Sequence, residues 1–132
     1  GNHDQLEGRD DLEARGNVHL LDGEVRTLDG LEIAGVSGIM GRPTKLNRKT
    51  PEHFLGLVRA CCGRRPDLVV LHAGPSIEEE GLRGSHEVRE ILEKTTRQSV
   101  VFGHCHWPEP VRTIGRTVLL NVDARVVLLL RD

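Results

Sequence analysis

The residues with most chemistry to offer fall in three short clusters. Gly103-His104-Cys105-His106 follows directly on the apolar run Ser99-Val100-Val101-Phe102, and Val69-Val70-Leu71 runs into His72-Ala73-Gly74-Pro75. The chain itself opens on Gly1-Asn2-His3-Asp4. Imidazole nitrogen and amide oxygen suit a borderline divalent ion such as Mn, Fe, Zn or Ni, and ligand softness excludes little beyond Cu(I). Two of the clusters leave apolar runs of strand length, so the expected site lies where loops converge at the C-terminal ends of strands. A metal site assembled from distant loops is the chemistry these residue types allow. On that reading His72, His104 and His106 meet at one edge of a sheet.

The elements that must position them can be read in outline. Asn17 to Leu21, Glu24 to Leu28 and Leu31 to Val36 are short candidate strands separated by Asp22-Gly23 and Asp29-Gly30. Asp-Gly suits the positive φ of two-residue hairpin turns, which predicts a three-stranded antiparallel meander. Val36 to Arg48 shows no periodicity and reads as a loop. Thr50-Pro51-Glu52 is a helix start, with a capping hydroxyl, a proline in the first turn and an acid at the positive end of the dipole. Phe54, Leu57, Val58 and Cys61 form its apolar stripe, and Gly63 ends it. Asp67 to Leu71 and Ser99 to Phe102 read as strands buried on both faces. Ser85 opens a second helix with Val88, Ile91, Leu92 and Thr95 on one side. Val111 to Ile114, Thr117 to Asn121 and Arg125 to Leu130 predict a closing meander. Glu78-Glu79-Glu80 reads as a solvated loop tip.

Composition narrows the function classes. The 132 residues fit one domain, and 18 basic against 20 acidic side chains give no global field that favours nucleic acid or an anionic membrane. Aromatic residues make up 2% of the chain, so stacking platforms for single strands are almost absent. No apolar stretch approaches the roughly 20 residues that span a bilayer. Three cysteines, Cys61 and Cys62 adjacent, do not make a disulfide framework and suit a reducing compartment; cytoplasmic is the expectation.

The three clusters, in order, resemble the last three motifs of the calcineurin-like metallophosphoesterases: Gly1-Asn2-His3-Asp4, a lone His72 after a strand, then Gly103-His104-Cys105-His106. Leu71-His72-Ala73-Gly74-Pro75, His106-Trp107-Pro108-Glu109-Pro110 and Asn121-Val122-Asp123 are similar to loops of that family's small members. The resemblance spans the chain and implies an α/β fold: the C-terminal portion of a two-sheet β-sandwich flanked by helices, incomplete at the N-terminus, with residues 1–132 as one partial domain. It implies metal-dependent phosphoester hydrolysis at a dinuclear site, manganese first among the candidate ions. Asn2, His72 and His104 would bind one ion and His106 the other. His3 would protonate the leaving group and Asp4 would hold its imidazole.

The family's first two motifs, an Asp-x-His and a Gly-Asp-x-x-Asp, lie upstream of the Asn-His motif and have no counterpart in this chain. The expectation is therefore an enzyme in full-length form whose residues 1–132 alone bind one metal weakly or none and are inactive. Two other classes stay open: a non-catalytic binding module of the same fold, or half of a split enzyme whose partner chain supplies the missing carboxylates. A small phosphoester is the expected substrate, with a second copy or a partner chain over an exposed sheet edge. Arg83 lies within reach of a phosphate in this scheme but reads first as an exposed loop arginine. Cys105 reads poorly as a nucleophile, because neighbouring side chains on an extended loop diverge.

Overall fold

Asp29 and Gly30 hold φ of 49° and 80°, the two left-handed positions a type I′ turn requires. They join β1 (Val25–Leu28) to β2 (Leu31–Val36) as an antiparallel hairpin. The computed structural model describes residues 11–12, 14–96, 98–128 and 130. Within it the expected first strand of the meander does not form. The cause is Asp22, whose carboxylate accepts from the Ser37 N–H at 3.1 Å and lies 3.0 Å from Lys49 Nζ. The Gly23 N–H donates to the Gly35 carbonyl at 2.7 Å. Asp22-Gly23 thus fastens the incoming chain to the far end of β2 instead of turning a hairpin. The loop after β2 contains a small parallel pair, β3 (Ile39–Met40) and β4 (Arg48–Lys49).

Helix α1 runs Pro51–Gly63, with Thr50 Oγ1 accepting from the His53 N–H at 3.3 Å. Phe54, Val58 and Cys61 of the expected stripe are buried, and so are Leu55 and Cys62, because α1 packs against the sheet and a second helix together. Burial pushes the Cys62 thiol up to about 12. That second helix, α2 (His86–Glu93), is capped by Ser85 Oγ on the Val88 N–H at 3.1 Å and buries Val88, Ile91 and Leu92.

The remaining strands are β5 (Leu68–Ala73), β6 (Ser99–Gly103), β7 (Val111–Ile114) and β8 (Thr117–Asn121). They complete a six-stranded mixed sheet in the order β1-β2-β5-β6-β8-β7. Neighbours β2, β5, β6 and β8 are all parallel, so their C-terminal ends share one edge. Both helices lie on the sheet face that carries Ala34, Val69, Leu71, Val100, Phe102 and Leu119, a single core at 8% exposure or less.

The opposite face is more open than the expected double coverage of β5, while Val101 of β6 is half-buried there. Val70 is 38% exposed, Val118 43% and Leu31 42%, all in register on one side of the strands. The apolar runs are continuous, yet the described residues cover the second face only in part, with Leu21 against Gly35 and Val127 beside Val118 and Leu120. The expected last strand is missing too. Residues 125–128 and 130 form no strand, and Val126 and Leu128 stay exposed. Ala124 turns the chain with φ 54°, after which the Arg125 guanidinium donates to Asn121 Oδ1 at 3.0 Å and to the carbonyls of Trp107 and Pro108. β6 and β7 occupy both edges of β8, so the segment has no strand to pair with there, and Val127 lies beside Val118 and Leu120 on the open face of the sheet. Among the described residues no helix is long and apolar enough to cross a membrane.

Candidate functional site

Parallel pairing of β5 with β6 dictates where the first two histidines meet. Leu71 is opposite Phe102, and the register shifts before Ala73 pairs with Gly103, so the bulge falls at His72, within β5. His104 is the first residue past β6 and takes φ 69°, a left-handed conformation uncommon for a residue with a Cβ and worth about 1 kcal/mol or more of strain. The result is a ring–ring distance of 4.9 Å between His72 and His104, with planes at 60°.

That spacing can be set against metal geometry. With a metal–nitrogen distance of about 2.1 Å, an imidazole centre stands roughly 3.3 Å from the ion, so two on one ion at angles of 90–110° lie about 4.7–5.4 Å apart. The observed pair falls inside this range. Among the described residues no group of three His, Cys, Asp or Glu could hold an ion. Asn2, the expected third ligand, and His3 and Asp4 lie outside the described residues.

His106 has a different environment. Its Nδ1 lies 3.3 Å from the Asp123 carbonyl and 3.6 Å from Asp123 Oδ2, and its Nε2 lies 3.3 Å from Arg125 Nη2. A guanidinium can only donate, so Nε2 is the acceptor and the ring proton sits on Nδ1. The lone pair a metal would take is thus the one Arg125 occupies. Asp123 follows β8 at the same sheet edge, and neither it nor Arg125 was singled out as a site residue from the sequence. The signal for Asp123 was its place just beyond an apolar strand.

A hairpin-like arm, residues 74–85, closes the site on one side. The Ser76 N–H donates to the Ser85 carbonyl at 3.1 Å and the Ser85 N–H to the Gly74 carbonyl at 2.9 Å. Gly74 faces the Phe102 ring and Gly84 the Pro75 carbonyl, each so closely that a Cβ would collide. The three glutamates at its tip form a 3-10 turn (Glu78–Glu80) and are exposed, as expected of a solvated tip, while also pairing with arginines. Arg89 lies 2.9 Å from Glu78 and 2.6 Å from Glu79, while Arg112 lies 2.6 Å from Glu80. The Ser76 hydroxyl, then a backbone N–H, His86 and Arg89, draw the Glu78 carboxyl down to about 2.

Between the arm and the β6 loop lies a cleft of about 500 Å³ lined by Glu80, Arg83, His104, Cys105, His106 and Pro108. His104 also lines a second cleft, of about 200 Å³, toward Met40, Gly74 and Ser85. It therefore forms the wall between the two. Trp107 is fully buried beneath, edge-on to Phe102 at 4.8 Å. The site thus offers two imidazoles at ion-binding spacing, a third held by Asp123, and an open cleft beside them. No family model, curated protein or solved structure matches this chain.

Proposed function

We propose that the chain carries the histidine loops of a metal-dependent phosphoester hydrolase related to the calcineurin-like metallophosphoesterases, its partly exposed sheet face belonging to a two-sheet sandwich. The observation that carries this reading is the His72–His104 pair. Two loops far apart in sequence deliver imidazoles to 4.9 Å, and one of them holds a left-handed backbone to do so. Bound divalent ions would supply Lewis-acid neutralisation of phosphoryl charge. His72 and His104 would hold one ion together with Asn2, and His106 would turn from Arg125 to hold another. His3, oriented by Asp4, would place a proton on the leaving-group oxygen. Too few ligands stand among the described residues for two ions, so the carboxylates of this scheme would come from outside them.

Manganese binding tests the reading directly. Paramagnetic-resonance titration of Mn²⁺ should show a site that both His72→Ala and His104→Ala remove. Hydrolysis of bis(p-nitrophenyl) phosphate should appear when a segment bearing Asp-x-His and Gly-Asp-x-x-Asp is joined ahead of Gly1. Mn²⁺ binding that is indifferent to both alanine variants would overturn it.

A further inference from the structure

We propose that Arg83 is the anion-holding residue of the His104–His106 cleft and grips one phosphoryl group of the substrate, a proposal that rests on the phosphoester reading above. Arg83 lines the cleft with both histidines, yet none of the described residues pairs with its guanidinium. The arginines around it are engaged. Arg89 holds Glu78, Glu79 and Glu93. Arg112 holds Glu80 and Glu109. Arg125 is bonded to Asn121, His106 and two carbonyls.

The Arg83 backbone is as constrained as its side chain is free. Its carbonyl accepts from Trp107 Nε1 at 2.8 Å, and Trp107 is wholly buried. Trp107 is also the residue after His106, so this one bond ties the arm to the histidine loop. On the other side Gly84 packs against the Pro75 carbonyl so tightly that no side chain fits. Backbone motion of Arg83 relative to the histidines is thereby restricted, while five N–H donors in a planar fork remain unused. An ordinary exposed arginine would share the free fork but not the anchor.

Charge at the cleft points to the ligand class. Glu80, the carboxylate in its wall, is bonded to Arg112 at 2.6 Å, a guanidinium it shares with Glu109, and is not paired with Arg83, whose fork stays open beside two imidazoles. A guanidinium matches two oxygens of one phosphoryl group, with charge-assisted bonds roughly twice as strong as neutral ones. One such cation suits a single phosphoryl group; a nucleic-acid backbone needs a row of them.

Calorimetric titration of inorganic phosphate into the Mn²⁺-equilibrated protein tests this. Arg83→Ala should weaken phosphate binding about tenfold, the equivalent of one charge-assisted hydrogen bond, and Arg83→Lys should fall between it and the parent. Arg59→Ala, a cation in the groove between the helices, should change nothing, and Mn²⁺ affinity and melting temperature should hold in every variant. The proposal fails if the parent takes up no phosphate at millimolar concentration, if Arg83→Ala binds like the parent, or if Arg59→Ala loses as much. Arg83-dependent phosphate binding in a protein that takes no Mn²⁺ would sustain the role of Arg83 and reject the metal reading.

Discussion

His72 and His104 stand ring to ring at 4.9 Å with their planes inclined by 60°, one from the bulged end of β5 and the other from the first position past β6. Neither strand alone would place its imidazole there. The contact depends on parallel pairing, on the register shift before Ala73, and on the left-handed turn at His104.

That turn makes function and stability separable at one position. His104→Gly relieves the strain of φ 69° but adds backbone entropy to the unfolded chain, so stability should be unchanged or higher by about 0.5–1 kcal/mol. His104→Val should destabilise by more than about 1 kcal/mol, because a β-branched residue tolerates this region poorly. Urea denaturation reads both, and both should lose the His104-dependent Mn²⁺ site. If glycine were markedly less stable than histidine, the strain argument would be wrong.

The arm should be brittle at Gly84. A methyl group there meets the Pro75 carbonyl, and backbone cannot yield as a flexible side chain can. Gly84→Ala should cost about 1–3 kcal/mol and displace Arg83 from the histidine loop, visible as increased Trp107 fluorescence exposure. Gly81→Ala, in open space but at φ 69°, should cost less and leave Trp107 unchanged.

Acid should release the chain that Asp22 fastens. Burial pushes the Asp22 carboxyl up, but hydrogen bonds from Lys49 and Ser37 and the Lys49 charge outweigh it and hold it below its ordinary value. A carboxyl lowered by folding contributes stability above its unfolded pKa of about 3.9 and loses it as pH falls through the lowered value. Denaturation curves from pH 6 down to pH 3 should therefore fall more steeply for the parent than for Asp22→Asn, which should already be less stable at pH 6. Equal slopes would show that the carboxylate does not fasten this segment.

The sheet face that the described residues leave partly exposed should dominate solution behaviour. Leu31, Val70 and Val118 lie exposed on one side, and contiguous apolar surface of this kind associates. Val118→Glu should lower light scattering and dye binding while shifting unfolding free energy by no more than about 0.5 kcal/mol. If the parent is monomeric and dye-silent at high concentration, that face is covered in solution.

What the amino-acid sequence determined by itself was local. Asp29-Gly30 specified its turn because both backbones must take positive φ, and Thr50-Pro51 and Ser85 began their helices because a hydroxyl satisfies N–H groups no helix can. The apolar runs before His72 and His104 announced strands, and with them the edge on which the imidazoles would lie. Packing decided the rest. Asp22-Gly23 carries the same turn chemistry as Asp29-Gly30, but bonds to Ser37 and Lys49 outweighed the hairpin. Val126 to Leu130 has the pattern of a strand, but a strand needs a free partner edge, and β6 and β7 occupy both edges of β8. Continuous apolar runs cannot say whether one face or two are covered, since period and composition are the same in both cases. The tie between Trp107 and Arg83 joins positions whose proximity exists only once β6 is in the sheet. Sequence patterns record what each segment prefers, and tertiary contacts decide which of those preferences are compatible.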